Sequence, residues 1–243
     1  REIELMAEAG KILERVHNEL EKALHPGMST KDIDTLGEKI IRSYGCIPSF
    51  LNYNGYPASI CVSVNQEVVH GIPDKHRIIH EGDIVSLDAG VIYKGYHSDA
   101  ARTHAVGEVS EEAKKLIQVT KECFFEGIKY AKAGNHLFDI SGAIGRYAEE
   151  RGYGVVRDLC GHGIGTALHE APEIPNYEVG RKGVKLRPGM TLAIEPMINI
   201  GTHEVDWLDD DWTVVTEDGS LAAHYENTIV ITEDGCEILT LSE

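Results

Sequence analysis

The sequence predicts a mixed α/β (α+β) fold built from two similar halves, and three observations predict it. Apolar residues recur with helical spacing at the start of each half. Short apolar or alternating runs, bounded by Gly, Pro and Asp, follow those helices and read as strands. Two motifs, Gly-x5-acid and His-x-acid, then occur once in each half and in register.

The elements follow in chain order. Residues 3–20 place Ile3, Met6, Ala9, Leu13, Val16 and Leu20 on one helical face. A second helix is expected from a cap at Ser29 or Thr30 through Ile33, Leu36, Ile40 and Tyr44, stopping at Gly45. Strands are expected at Ile60–Val64, Ile84–Tyr93 and 96–106. Ser110, followed by two glutamates, opens a helix through Leu116, Cys123 and Phe124; another covers about 136–150 and ends at Gly152. The remainder reads as strands divided by Gly and Pro turns, with Asp218-Gly219 as a hairpin signal.

"HEGDIVSLD" (80–88) lies over "RPGMTLAIE" (187–195), so Gly82 matches Gly189 and Asp88 falls on Glu195. "YHSDA" (96–100) lies over "AHYEN" (223–227), setting His97 on His224 and Asp99 on Glu226. Two short matches can arise by chance, but acids recurring in register favour a shared site.

A two-residue turn at Lys94-Gly95 pairs Tyr93 with Tyr96 and sets Gly90 opposite Asp99. Side chains alternate along a strand, so Asp88 shares a face with Gly90 and with Asp99. Diagonal neighbours of this kind lie about 7–8 Å apart at the backbone, within reach of one ion. The other face carries Val85, Leu87, Ala89 and Val91. A slip of one residue would turn Asp99 to the wrong side. Two carboxylates beside a core must share a proton or bind a cation. Glu195 and Glu226, each in an apolar strand, bring the carboxylates to four, and His162 in glycine-rich "CGHGIGTALHE" is the natural nitrogen ligand. The plain alternative is four strand acids facing water.

A thiolate-free set of four carboxylates and an imidazole suits Mn, Fe, Co or Zn over copper, and it over-supplies one ion. It fits a pair about 3.5–4 Å apart that acidifies a bridging water and clamps both oxygens of a carbonyl addition. Hydrolysis also needs a proton shuttle and an oxyanion partner. His70 and His169, in Gly/Pro-rich bends, are candidates that spacing alone does not select.

Composition narrows the class. The 243 residues allow one large domain or two small ones, and 42% hydrophobic content supports a sizeable core. Forty acids against 23 bases give a formal charge of −17, which repels phosphate backbones, so no direct nucleic-acid binding is expected. No run is apolar enough to span a membrane, and the charged first segment is unlike a secretory signal. Five cysteines, odd in number and never Cys-x-x-Cys, fit a reduced cytoplasmic setting without disulfides or thiolate zinc.

With these residues assembled, the chain resembles the type I methionine aminopeptidases. The likeness covers essentially the whole sequence and rests on "CVSVNQEVVHGIPD", "GDIVSLDAG", "HSDAART", "GHGIGTALHE", "GMTLAIEPM" and "HYENTIVIT" together. It implies the pita-bread fold, two pseudo-symmetric halves of helices packed on a curved, mainly antiparallel sheet. The expected unit is a single catalytic domain over 1–243 with pseudo-repeats of about 1–108 and 109–243.

The implied function is metal-dependent removal of the N-terminal methionine from nascent proteins and peptides, preferring a small second residue. Attack on the first peptide bond would come from a hydroxide bridging two divalent ions (Co, Mn, Fe or Zn) held by Asp88, Asp99, His162, Glu195 and Glu226. His70 would contact the scissile amide nitrogen and His169 the carbonyl and its oxyanion, while Glu195 doubles as proton carrier. Tyr53, Tyr56, Cys61, Leu168 and Trp212 would line the methionine pocket, although ordinary packing also explains them. The expected partners are N-termini of nascent polypeptides, with the ribosome exit region a further candidate, for a cytoplasmic monomer without membrane contact.

The chain departs from many members at Leu168, where Phe is frequent, and "HEAP" replaces a frequent acid after His-Glu. The type II insertion and an N-terminal zinc-binding extension are expected to be absent, leaving a minimal bacterial-style enzyme. The rivals are a proline-specific peptidase of the same fold, a metal-free binding protein of that fold, and a generic acidic interaction domain.

Overall fold

The computed structural model describes residues 1–241; the last two residues of the expected 1–243 unit lie outside the described residues. Helix α1 spans Glu2–Ala23 and buries Met6, Ala9, Leu13, Val16 and Leu20, with His17 added to the same face. Ile3 is the exception to the expected stripe. It stays 40% exposed, one turn before the first buried position. Helix α2, Thr30–Ser43, is capped by Ser29 rather than by Thr30. The Ser29 hydroxyl accepts the Asp32 N–H at 3.0 Å while the Asp32 carboxylate accepts the Ser29 N–H at 2.8 Å, a reciprocal cap. Beyond its end Gly45 adopts φ +72°, a conformation that glycine enters without steric cost. Helix α3, Glu111–Ile128, is capped by Ser110, and α4 spans Leu137–Glu149.

The helices cover two separate cores. In the first half Leu13, Val16, Leu20, Ile33 and Ile41 meet Val85, Leu87, Ala89 and Val91 from the sheet. In the second, Leu116, Phe124, Ile140 and Ile144 meet Leu192, Ile194 and Ile229.

Beneath both helix pairs runs one curled nine-stranded sheet. Its central path is Ile84–Tyr93, Tyr96–Ala105, Glu226–Ile231, Thr191–Ile194, Gly161–Gly163, Glu170–Ile174, every pair antiparallel. Ile60–Val64 and Ile47–Pro48 flank the first of these, and Cys236–Ile238 lies beside Glu226–Ile231. The expected two-half architecture is therefore present, fused across a seam where Glu226 pairs with Ala101 and Asn227 with Ala100. The halves repeat a local device at their matched glycines. Gly82 (φ +94°) donates its N–H to Val106 O, and Val106 N–H returns to Asp83 O; Gly189 (φ +87°) does the same with Ile231, which returns to Met190 O.

The Asp218-Gly219 signal marks a turn but not a hairpin. Val214–Thr216 pairs with Val205–Trp207 and Glu67–Val69, whereas Ala222–His224 pairs with Met197–Asn199 in another sheet. The Asp218 carboxylate accepts the N–H groups of Thr202 and Ser220, and so steers the chain from one sheet to the next. Among the described residues no helix is long and apolar enough to cross a membrane.

At the seam two threonine hydroxyls take the place of backbone pairing. Thr228 Oγ1 accepts the Asp99 N–H at 3.0 Å and donates to Asp99 O at 2.8 Å; Thr103 Oγ1 makes the same pair with His224, both at 2.9 Å. Thr228→Val keeps the shape but strands both Asp99 backbone groups in a fully buried position, and should lower stability by about 1–3 kcal/mol. An unchanged midpoint in urea unfolding would show that the seam holds without these bonds.

Candidate active site

Hairpin register decides where the first acids point. Lys94 and Gly95 turn at φ +49° and +86°, the positive values a tight two-residue hairpin turn requires. Tyr93 then pairs with Tyr96 and Gly90 stands opposite Asp99, the register expected from the sequence. Directly paired residues project to the same face. Cys61, Asp88, Ala101 and Glu226 therefore form one row across four strands. Asp99 belongs to the adjacent row, which its Thr228 contacts join to Ala193 and His162. Ala101 and Ala193, both fully buried, keep the row centres small enough for the longer side chains to converge above them. Gly90 is needed for a similar reason, since a Cβ there would stand 2.8 Å from Ser49 Cβ.

His162 is delivered by close backbone approach. A Cβ on Gly161 would fall 2.4 Å from Ala193 O, and one on Gly163 would fall 2.2 Å from Ala171 O. Its Nδ1–H donates to Gly163 O at 2.9 Å, which leaves Nε2 as the nitrogen that faces Asp99 Oδ2 and Glu195 Oε1, each at 3.6 Å, and that a metal would take in place of a proton. Glu195 follows the Thr191–Ile194 strand, and its Oε2 lies 3.5 Å from His224 Nε2. The ligating atoms of Asp99, His162 and Glu226 lie within 4.8 Å of one another, and so do those of Glu195, His224 and Glu226. Glu226 belongs to both groups.

These groups fit divalent cations. Asp88 Oδ1, Asp99 Oδ1 and Glu226 Oε1 are buried without a hydrogen-bond partner among the described residues. Burial first, then the neighbouring carboxylates of Asp99 and Glu195, holds Asp88 well above the ordinary carboxylate range; Glu226 is raised in the same way. For His162 burial alone would lower the pKa, but Asp99 and Glu195 raise it overall. Cys61, beside Asp88, stays a protonated thiol because burial and that carboxylate push its pKa well up.

Beside the acids opens a cavity of about 320 Å³ lined by Tyr53, Tyr56, Cys61, Leu168 and Trp212, with His70 and His169 at its walls. Tyr56 presents its ring edge-on to Trp212, centroids 5.1 Å apart, while its hydroxyl donates to Ile60 O and Gly71 O. His70 sits at φ +60°, rare for a side chain with a Cβ, and its ring lies 6.4 Å from Trp212. Burial lowers the pKa of both His70 and His169, so both rings are neutral at pH 7. His169 is exposed at the mouth, 4.1 Å from the His162 ring, with Nδ1 2.8 Å from the Tyr53 hydroxyl.

Every sequence-designated site residue thus borders one cavity. Three features were not foreseen. Tyr53 touches His169 through its hydroxyl, a contact no sequence spacing announces. His224, with both ring nitrogens buried, stands among the acids; its only sequence signal was the repeated His-x-acid motif. Phe50, Met197 and Leu159 also line the cavity and carried no signal.

The model of Metallopeptidase family M24 matches residues 4–233. A methionine aminopeptidase of Clostridium acetobutylicum is 60% identical over 100% of this chain and 97% of its own. The crystal structure of a methionine aminopeptidase from Thermotoga maritima superposes with a TM-score of 0.97 at 48% identity, covering 99% of this chain and 97% of that one. A Xaa-Pro dipeptidase from Bacillus anthracis has a TM-score of 0.80 at 29% identity, covering 100% of this chain but 61% of its own.

The raised pKa values of Asp88 and Glu226 set a linkage. Without metal the folded protein holds protons that the unfolded chain releases near pH 4, so this contribution to stability is full below about pH 4 and is lost as pH rises through the folded values. Cations bound there would take the place of those protons. Melting temperature in chelator should therefore fall relative to that in manganese between about pH 5 and 8, and calorimetry in two buffers should detect protons released on manganese binding. Parallel melting curves with no proton release would contradict a cation site here.

Proposed function

The chain belongs to metallopeptidase family M24 and has its pita-bread fold, and from that membership we propose that it removes methionine from the N-termini of nascent proteins and peptides, preferring a small second residue. The observation that carries this reading is the pair of overlapping acid–imidazole groups opening onto a cavity walled by aromatic edges. We assign two divalent ions to Asp88, Asp99, His162, Glu195 and Glu226. Mn, Fe, Co and Zn all accept this oxygen-rich set. The chemistry such ions supply is polarisation of a carbonyl and activation of water at neutral pH.

The chain's own groups do the rest. The Tyr53 hydroxyl donates to His169 Nδ1, which leaves Nε2–H pointing into the cleft as donor to the carbonyl oxygen and the oxyanion that follows. His70, neutral and fixed by its bend, faces the scissile amide nitrogen. Glu195, 14% exposed, is reachable from the cleft and carries the proton to the leaving amine. The substrate ammonium is held by Asp88 or Asp99. The thioether packs on the edges of Tyr56 and Trp212 and on Cys61, contacts that sulfur favours, with Leu168 as an aliphatic wall.

We further assign residues 1–243 to one catalytic unit whose halves divide near residue 108, acting as a cytoplasmic monomer. Its substrates are nascent N-termini, met at the ribosome exit region. A formal charge of −17 argues against nucleic-acid binding.

Methionine release from Met-Ala-Ser should require metal and exceed cleavage of an Ala-Pro peptide. Cleavage of Ala-Pro alone would favour a proline-specific peptidase, and silence with every metal a binding protein. Glu195→Ala should abolish turnover, and near-normal activity would refute its double role. His169→Ala should lower kcat by roughly 10²–10³, and a change confined to KM would count against the oxyanion role. Tyr53→Phe should cost about five- to tenfold in kcat, the worth of one hydrogen bond; an equal rate would remove Tyr53 from that assignment.

A further inference from the structure

His224 is the one ring among the acids to which the reading above gives no task. It is 1% exposed. Its Nε2 lies 3.5 Å from Glu195 Oε2 and 4.0 Å from Glu226 Oε2, and neither ring nitrogen has a hydrogen-bond partner among the described residues. Its backbone is held on both sides, by the two Thr103 bonds and by pairing with Met197. The ring is therefore aimed at the carboxylates by the strand that carries it.

Glu195 stands between two imidazoles, and their second nitrogens differ. His162 ties Nδ1–H to the Gly163 carbonyl, so its Nε2 carries the lone pair a metal ligand needs. Among the described residues no carbonyl accepts from His224 Nδ1. A neutral imidazole has one donor and one acceptor, and carboxylate oxygens around Nε2 favour the proton there. On its other side His224 borders a separate polar cavity of about 300 Å³ between α1 and α3.

We propose that His224 is a positioning residue: its Nε2–H donates to Glu195 Oε2 and holds that carboxylate in the rotamer that presents Oε1 beside His162. This rests on the assignment of Glu195 as a ligand. Hydrogen bonds of this kind typically change metal affinity or activity 10–100-fold when removed.

The test compares His224→Leu, which removes the donor, with His224→Gln, whose amide can restore it. Chelator-stripped proteins are titrated with manganese by calorimetry; melting temperature and the kinetics of Met-Ala-Ser cleavage at saturating manganese are measured alongside. The leucine variant should bind manganese about 10–100-fold more weakly and lose kcat with little change in KM, and the glutamine variant should recover most of both. If the leucine variant does not fold, His224→Met, also without a donor, takes its place. A variant that only melts lower, with wild-type affinity, overturns the proposal. So does loss of one whole ion that glutamine fails to restore, which would make His224 a direct ligand. Wild-type protein that takes up no manganese overturns the site assignment itself; wild type binding two ions beside an unaffected leucine variant overturns the role of His224 alone.

Discussion

Mutual repulsion among buried carboxylates is the constraint on which the rest of this molecule depends. Asp88, Asp99 and Glu226 lie on one buried face, each with one oxygen that no hydrogen bond from the described residues reaches. Charge taken out of water costs several kcal/mol per ion unless a partner returns it. Protons or cations must supply that partner. The chain spends its small residues accordingly: Ala101 and Ala193 stand at the row centres, Gly90 clears the wall at Ser49, and Gly161 and Gly163 let the His162 loop lie against the sheet.

Neither half holds the set alone. Asp88 and Asp99 come from the first half, and His162, Glu195 and Glu226 from the second, so these side chains meet only where the two halves of the one sheet join. The seam is reinforced accordingly. Arg102 reaches from the first half to the carbonyls of Glu226 and Thr240 and to Asn227 Oδ1, and lies 4.6 Å over the Tyr225 ring. A half-buried cation fastened to the backbone of Glu226 also offsets part of the negative field. Packing and chemistry are thereby coupled, because what joins the halves also sets the spacing of the acids.

The cleft divides its labour between rigid walls and polarised edges. Tyr56 spends its hydroxyl on two backbone carbonyls, so its ring is a fixed wall rather than a donor. Cys61 contributes a neutral sulfur. His70, desolvated in its bend, and His169, partly desolvated at the mouth and next to His162, both have lowered pKa values, and a neutral imidazole can both donate and accept a proton.

The sequence by itself determined the helices, the main hairpin and its register, and the recurrence of acids in both halves. Those are local properties: helical period, strand alternation and a turn that accepts positive φ are written in neighbouring residues. It placed Asp88 and Asp99 on one face because parity along a strand is counted residue by residue. Only the tertiary structure decided that Asp218-Gly219 passes the chain between sheets, that the Tyr53 hydroxyl meets His169, and that His224 stands against Glu195. Each of these joins elements whose adjacency depends on strand order and on the seam, and no spacing within a single segment encodes a distance across it.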